Sequence, residues 1–160
     1  MKPPLALLPD RVIGIGKEIL RHVLRRPVVG LAVLGRDADG RILLVRRGDT
    51  GTWALPGGTV EWGETLRSTM GRELAEEAGV DEVTFERVVG VFSRPDRDPR
   101  FHAVTVVVTA RVGPILRPPK NTLEIREARF FADADVPRDL AMTMNDFVDA
   151  AKSAEGVLFE

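Results

Sequence analysis

GTVEWGETLRSTMGRELAEEAGV, residues 58–80, sets the architecture of this chain. Its second half predicts a helix over residues 65–78. Thr65 suits the N-cap, Leu, Arg, Glu and Ala fill the interior, and Gly79 supplies a stop. With Leu66 at zero and about 100° per residue, Leu66, Met70, Leu74 and Ala78 form an apolar stripe from about 0° to 120°. Glu73 and Glu77 then fall at about −20° and +20°, on the edge of that stripe, with Glu76 near −80°. Two readings compete. Such acids are ordinarily a solvated helix face, here with Arg72 paired to Glu76. Carboxylates on a core-facing edge, however, repel one another and lose hydration, unless a hard divalent cation neutralises them together. Oxygen ligands without His or Cys suit Mg2+ or Mn2+ rather than zinc. An ion held there beside a phosphoanhydride would activate water and screen phosphate charge, which makes hydrolysis the natural reaction.

The order glycine, five residues, Glu64, seven residues, Arg72-Glu73-Leu74-Ala75-Glu76-Glu77-Ala78-Gly79-Val80 resembles the Nudix hydrolase box. That box reads G-x5-E-x7-R-E-U-x-E-E-x-G-U, with U aliphatic, and every fixed position is met. The resemblance implies an α/β/α sandwich whose mixed β-sheet lies between the box helix and a C-terminal helix. It implies that Glu73, Glu76 and Glu77 ligate the metal, helped by a carbonyl of Gly57 or Gly58. Arg72 would orient one of those glutamates, and Glu64 would brace the loop or reach the metal through water. Independently of the family, two consecutive glycines remove the Cβ that would hold a backbone carbonyl away from an ion or a phosphate. Arg46 and Arg47 are candidates for phosphate contact. The general base is either a box glutamate or a loop acid. Outside the box the candidates are Glu124, Glu127, Asp96 and Asp98, with Glu124 preferred because Glu127 abuts a strand and can pair with Arg129.

The 160 residues, 44% hydrophobic and 29% charged, are most simply one catalytic domain of ordinary composition. We place that domain at residues 28–160, with residues 1–27 as an N-terminal extension. A net charge of −1 gives no global reason to expect nucleic-acid binding. Charge is nonetheless uneven: residues 1–36 carry seven basic against two acidic side chains, and residues 131–160 the reverse. That complementarity, and the frequent dimers of related enzymes, make a homodimer the expectation. The chain has no cysteine, which excludes disulfides and thiolate metal sites and fits a cytoplasmic protein. No apolar run approaches the ~18 residues of a membrane span, and the opening MKPPLALLPD is too proline-broken for a signal peptide.

Along the chain, a basic amphipathic helix is expected at 12–26, ended by Pro27. Its partner is read as the chain's own domain or a second subunit, ahead of a membrane surface. Strands are expected at 28–34 and 41–47, joined by the turn Asp37-Ala38-Asp39-Gly40. Further strands are expected at 83–93, 101–112 and 128–132, and a closing helix at 143–154. Gly57-Gly58 is read as preceding the box helix through a turn, with a plain hairpin turn as the alternative for the two glycines themselves.

The box does not name the substrate. Pro95, sixteen residues beyond Gly79, lies in Ser93-Arg94-Pro95-Asp96-Arg97-Asp98-Pro99-Arg100-Phe101-His102, which resembles the corresponding loop of ADP-ribose pyrophosphatases. On that resemblance Arg97, Arg100 and His102 would meet the ribose or phosphates, and Trp53 or Phe92 would stack on the base. The expected substrate is a small nucleotide, ADP-ribose, cut to AMP and ribose 5-phosphate. The alternatives are a nucleoside triphosphate pyrophosphatase that removes damaged nucleotides, and a nucleotide-sensing domain without catalysis.

Overall fold

The computed structural model describes residues 26–153 and 156–160. The helix expected over 12–26 lies outside them, Arg26 excepted. Strand β1 (Val28–Arg36) is rich in Val and Leu, and six consecutive residues, Gly30 to Gly35, are buried. A strand buried on both faces needs such an unbroken apolar run. It pairs in parallel with β6 (Ala103–Val112) along its whole length, from Val28 opposite Ala103 to Arg36 opposite Arg111. The expected hairpin turn carries β1 into β2 (Ile42–Arg47), and the Asp37 carboxylate closes it by accepting from the amides of Asp39 and Arg41.

Two-residue β3 (Trp53–Ala54) pairs with β2, and β4 (Gly57–Thr59) pairs antiparallel with β1. Gly57-Gly58 thus lies in a strand, and a turn at residues 62–63 carries the chain from it to the helix that follows. Strand β5 (Val83–Phe92) lies antiparallel to β6 with two irregularities in register. Strand β7 (Ile125–Phe131) pairs with β2 and starts three residues before the expected 128, because the ladder from β2 recruits Ile125 opposite Arg47. Strand β8 (Leu158–Phe159), unforeseen, extends the sheet in parallel beyond β5.

The sheet is mixed and lies between two helices, an α/β/α sandwich as expected. Helix α1 (Leu66–Ala78) packs on β4, β1 and β7, and α2 (Asn145–Lys152) packs on β5. Thr65 and Ser68 cap α1 reciprocally, and Gly79 stops it in the left-handed conformation, φ 65°. Met70, Leu74 and Ala78 are buried as the stripe predicts. Leu66, in the first turn, remains exposed, and the fully buried Thr69 takes its place in the interface. On α2, Phe147 is buried with its ring centroid 4.5 Å from that of Phe92. Among the described residues no helix is long and apolar enough to cross a membrane.

Candidate active site

Strand β4 and helix α1 build the acidic centre between them. The β4 backbone runs so close to the helix that a Cβ on Gly58 would stand 2.2 Å from Glu73 Oε1. Beside it, the Gly57 amide donates to Glu77 Oε2 at 2.8 Å. Glycine here is a requirement of the close approach. Arg72 then locks the first acid. Its Nε and Nη2 donate to the two oxygens of Glu64 at 2.7 and 3.0 Å, and its Nη1 to Glu73 Oε1 at 2.8 Å. Glu64 also accepts from the Glu61 amide and the Thr69 hydroxyl, so it braces the loop entering the helix. The Arg72 guanidinium holds the Glu64 carboxyl down to about 2.

The remaining acids differ in environment. Glu73 is buried, and loss of hydration pushes its carboxyl up despite Arg72. Glu77 is half-buried and recessed. Burial outweighs its hydrogen bond from Gly57, and the charges of Glu73 and Glu124 add to the effect, pushing it up to about 8. Glu76 is more open, paired with Lys120 Nζ at 2.6 Å and only 3.9 Å from Arg72. Among the described residues no three carboxylates converge on one centre, since Glu73 and Glu76 are engaged by Arg72 and Lys120. The donor set nevertheless fits a hard divalent cation. It offers oxygens alone, with one recessed carboxylate, Glu77, that forms no ion pair among the described residues, and the exposed Lys120 pair is weak enough to give way.

These groups open into a cleft of about 540 Å3, within the range of small-molecule sites. Glu124, Arg47, Asp98 and Arg100 share its lining with Phe101 and Met142. A model of the Nudix domain matches residues 24–151. The chain belongs to the Nudix family. Over 106 residues this Nudix chain is 38% identical to an ADP-ribose pyrophosphatase of Methanocaldococcus jannaschii, a match covering 64% of this chain and 60% of that protein. A solved ADP-ribose pyrophosphatase from Streptococcus suis aligns with TM-score 0.65 and 27% identity, covering 84% of this chain and all of that one. The Nudix domain of Shewanella oneidensis NrtR, solved with ADP-ribose, shares the fold at TM-score 0.70 and 24% identity, over 85% of this chain and 96% of that one.

The Nudix structure brings some of the expected substrate residues to the cleft and not others. Arg47 lines it, held by Asp49 at 2.5 Å, whereas Arg46 lies outside it. Adjacent strand residues face opposite ways, and Arg46 instead meets Glu127 and the Gly51 carbonyl. Trp53 is also displaced from the expected role, packed edge-on against Phe131 with Arg129 over its ring. Phe92 is core, and His102 bonds the Ser93 carbonyl outside the cleft lining. Arg97 reaches the lining with its donors already committed to Thr143, Asp146 and Glu160. Arg100 remains half exposed while bound to Asp98. Glu127 pairs with Arg129 as anticipated, and Glu124 stands in the cleft. Asp98, one of the general-base candidates, lines the cleft paired with Arg100. Lys120, Phe101 and Met142 were not singled out for these positions; of the three, only Phe101 lies in the loop whose sequence drew attention.

Proposed function

We propose that this Nudix hydrolase cleaves the pyrophosphate bond of a nucleoside diphosphate joined to another group, ADP-ribose being the preferred substrate. The carrying observation is the recessed Glu77, bonded to the Gly57 amide beside buried Glu73, in a cleft that also holds Arg47 and Arg100. Glu73, Glu76 and Glu77, with a carbonyl of Gly57 or Gly58, would hold Mg2+ or Mn2+. The ion supplies Lewis acidity and charge neutralisation at the bridging phosphates.

The chain's own residues do the rest. Arg72 fixes Glu73 through a guanidinium anchored on Glu64. Arg47 and Arg100 take the phosphate and ribose oxygens. Phe101 and Met142 offer the apolar surface for a base that Trp53 and Phe92 do not. Glu124 accepts the proton of the attacking water as its oxygen adds to phosphorus, the phosphoanhydride bond breaks, and AMP and ribose 5-phosphate leave. Its place in the cleft, within electrostatic reach of Glu73 and Glu77, supports that role. Residues 28–160 form the catalytic domain on this reading, residues 1–27 an extension, and the enzyme works as a cytoplasmic homodimer.

A panel of nucleotide sugars and nucleoside triphosphates, with products identified by chromatography, tests the assignment. AMP and ribose 5-phosphate from ADP-ribose with Mg2+, and none with EDTA, is the expected result. Faster release of pyrophosphate from triphosphates would transfer the enzyme to the nucleotide-sanitising class. Arg72→Lys keeps the charge and loses the fork that grips Glu64 and Glu73 together, so it should lower the metal-dependent rate by roughly 10–100-fold. A Mg2+ titration of turnover reads this as a higher metal requirement.

A further inference from the structure

Residues 156–160 return to the sheet edge, with Leu158 opposite Gly90 and Phe159 opposite Val91. The Glu160 amide donates to the Val91 carbonyl at 3.0 Å. This sets the Glu160 carboxylate against the start of the loop formed by residues 93–100. Its Oε2 accepts from the amides of Ser93 and Arg94 at 2.8 and 2.9 Å, and its Oε1 from Arg97 Nη2 at 2.6 Å. The Ser93 hydroxyl adds a bond to the Glu160 carbonyl. The Arg97 side chain is only 9% exposed. Its guanidinium carbon lies 5.3 and 5.1 Å from the ring centroids of Phe92 and Phe147, while Nη1 donates to Thr143 Oγ1 and Asp146 Oδ2 at 2.6 and 2.9 Å. One guanidinium thus ties residues 156–160, the 93–100 loop and the approach to α2.

Two of those segments form cleft wall. Asp98, Arg100 and Phe101 line it from one, Met142 from the other. Met142 and Thr143 have φ of 54° and 52°. Left-handed backbone is disfavoured for both, and most for β-branched Thr, so it persists only where neighbours hold it. Here the hold on Thr143 comes from Arg97.

We propose that Glu160 is a positioning residue: acting through Arg97, it fixes the outer wall of the cleft, so that nucleotide binding rather than the chemical step depends on residues 156–160. This rests on reading the cleft as a nucleotide site. Without the carboxylate, two backbone amides lose a charge-assisted partner, and the arginine that braces the strained turn loses one of its two carboxylate partners. None of these hydrogen bonds involves Glu64, Arg72, Glu73, Glu76 or Glu77, so the acidic centre is left intact.

Steady-state kinetics of the full chain with ADP-ribose and Mg2+ decide it. In Glu160→Ala, KM should rise about tenfold while kcat stays within about twofold. Glu160→Gln, which keeps one acceptor oxygen, should fall between. Adding Arg97→Met to Glu160→Ala should raise KM by clearly less than the two single effects combined, because the two side chains share the Arg97–Glu160 contact. Amide hydrogen exchange should quicken in residues 93–100 and 141–146 and not in α1. An unchanged KM, a lowered kcat at constant KM, or additive effects of the two substitutions would overturn the proposal. Should Glu160→Ala not fold, Glu160→Gln decides by the same measurements. A wild-type protein that cleaves no nucleotide ends the functional reading alone. The latch is then judged by hydrogen exchange, and unchanged protection of residues 93–100 would dismiss it.

Discussion

Glu77→Gln is expected to remove magnesium-dependent hydrolysis and, in the same protein, to raise the melting temperature of the metal-free form. Both effects come from one carboxylate that the fold buries without a cation. Gln retains an oxygen for the Gly57 amide and nearly the same shape, so packing is undisturbed. What it lacks is the negative charge that holds the ion, and a loss of about 10²–10³-fold in turnover or more is expected for removal of such an electrostatic element. The stability effect has a defined pH course. Burial raises the Glu77 carboxyl from the ordinary 4.5 to about 8, so the folded protein keeps a proton that the unfolded chain gives up. Below 4.5 both states are neutral and the variant gains nothing. Between 4.5 and 8 the wild type progressively loses stability relative to Gln, and above 8 the difference is constant. Melting curves in EDTA at pH 4 and pH 8.5 read the difference directly. Equal melting temperatures at the higher pH would show that Glu77 is not strained by burial. Undiminished turnover would remove it from the site.

The adjacent glycines of β4 should respond in opposite ways to the same added methyl group. A Cβ at Gly57 would stand 2.1 Å from the Leu31 carbonyl oxygen, in rigid backbone of the central strand, at φ 152°. Nothing there can move cheaply, so Gly57→Ala should cost about 2–3 kcal/mol in denaturant unfolding. A Cβ at Gly58 meets instead the end of the Glu73 side chain, 2.2 Å away, which can rotate aside. Gly58→Ala should therefore unfold nearly as the wild type does, while its metal-dependent turnover falls by roughly 10–100-fold because Glu73 has left its place. If Gly58→Ala keeps full activity, Glu73 does not need the position the structure gives it. If Gly57→Ala is as stable as the wild type, the close passage of β4 over β1 is wrong.

Much of the acidic centre was legible in the residues themselves. The capped helix 65–78, the Asp37 to Gly40 turn and the alternation of β5 and β6 rest on interactions within a few positions of each other, which local spacing encodes. Glu64, Arg72, Glu73 and Glu77 fell into place for the same reason, since one helix and the loop entering it carry them. Which of Arg46 and Arg47 faces the cleft was not legible. It depends on the pairing of β2 with β3 and β7 and on the irregularity between those two residues. Trp53 reads equally as a stacking or a packing residue until β7 brings Phe131 and Arg129 against it.

The chain alone therefore determined an α/β fold, a helix carrying acids on its buried edge, and the family to which that helix belongs. The tertiary structure alone decided which distant side chains complete the cleft. Asp98, Glu124 and Met142 reach it from separate loops, and Glu160, just past a strand whose partner is set by the open edge of β5, backs one wall through Arg97. A strand or loop encodes its own alternation and turns, but its neighbour is chosen by the whole packed sheet, and the outer half of the site is made of such neighbours.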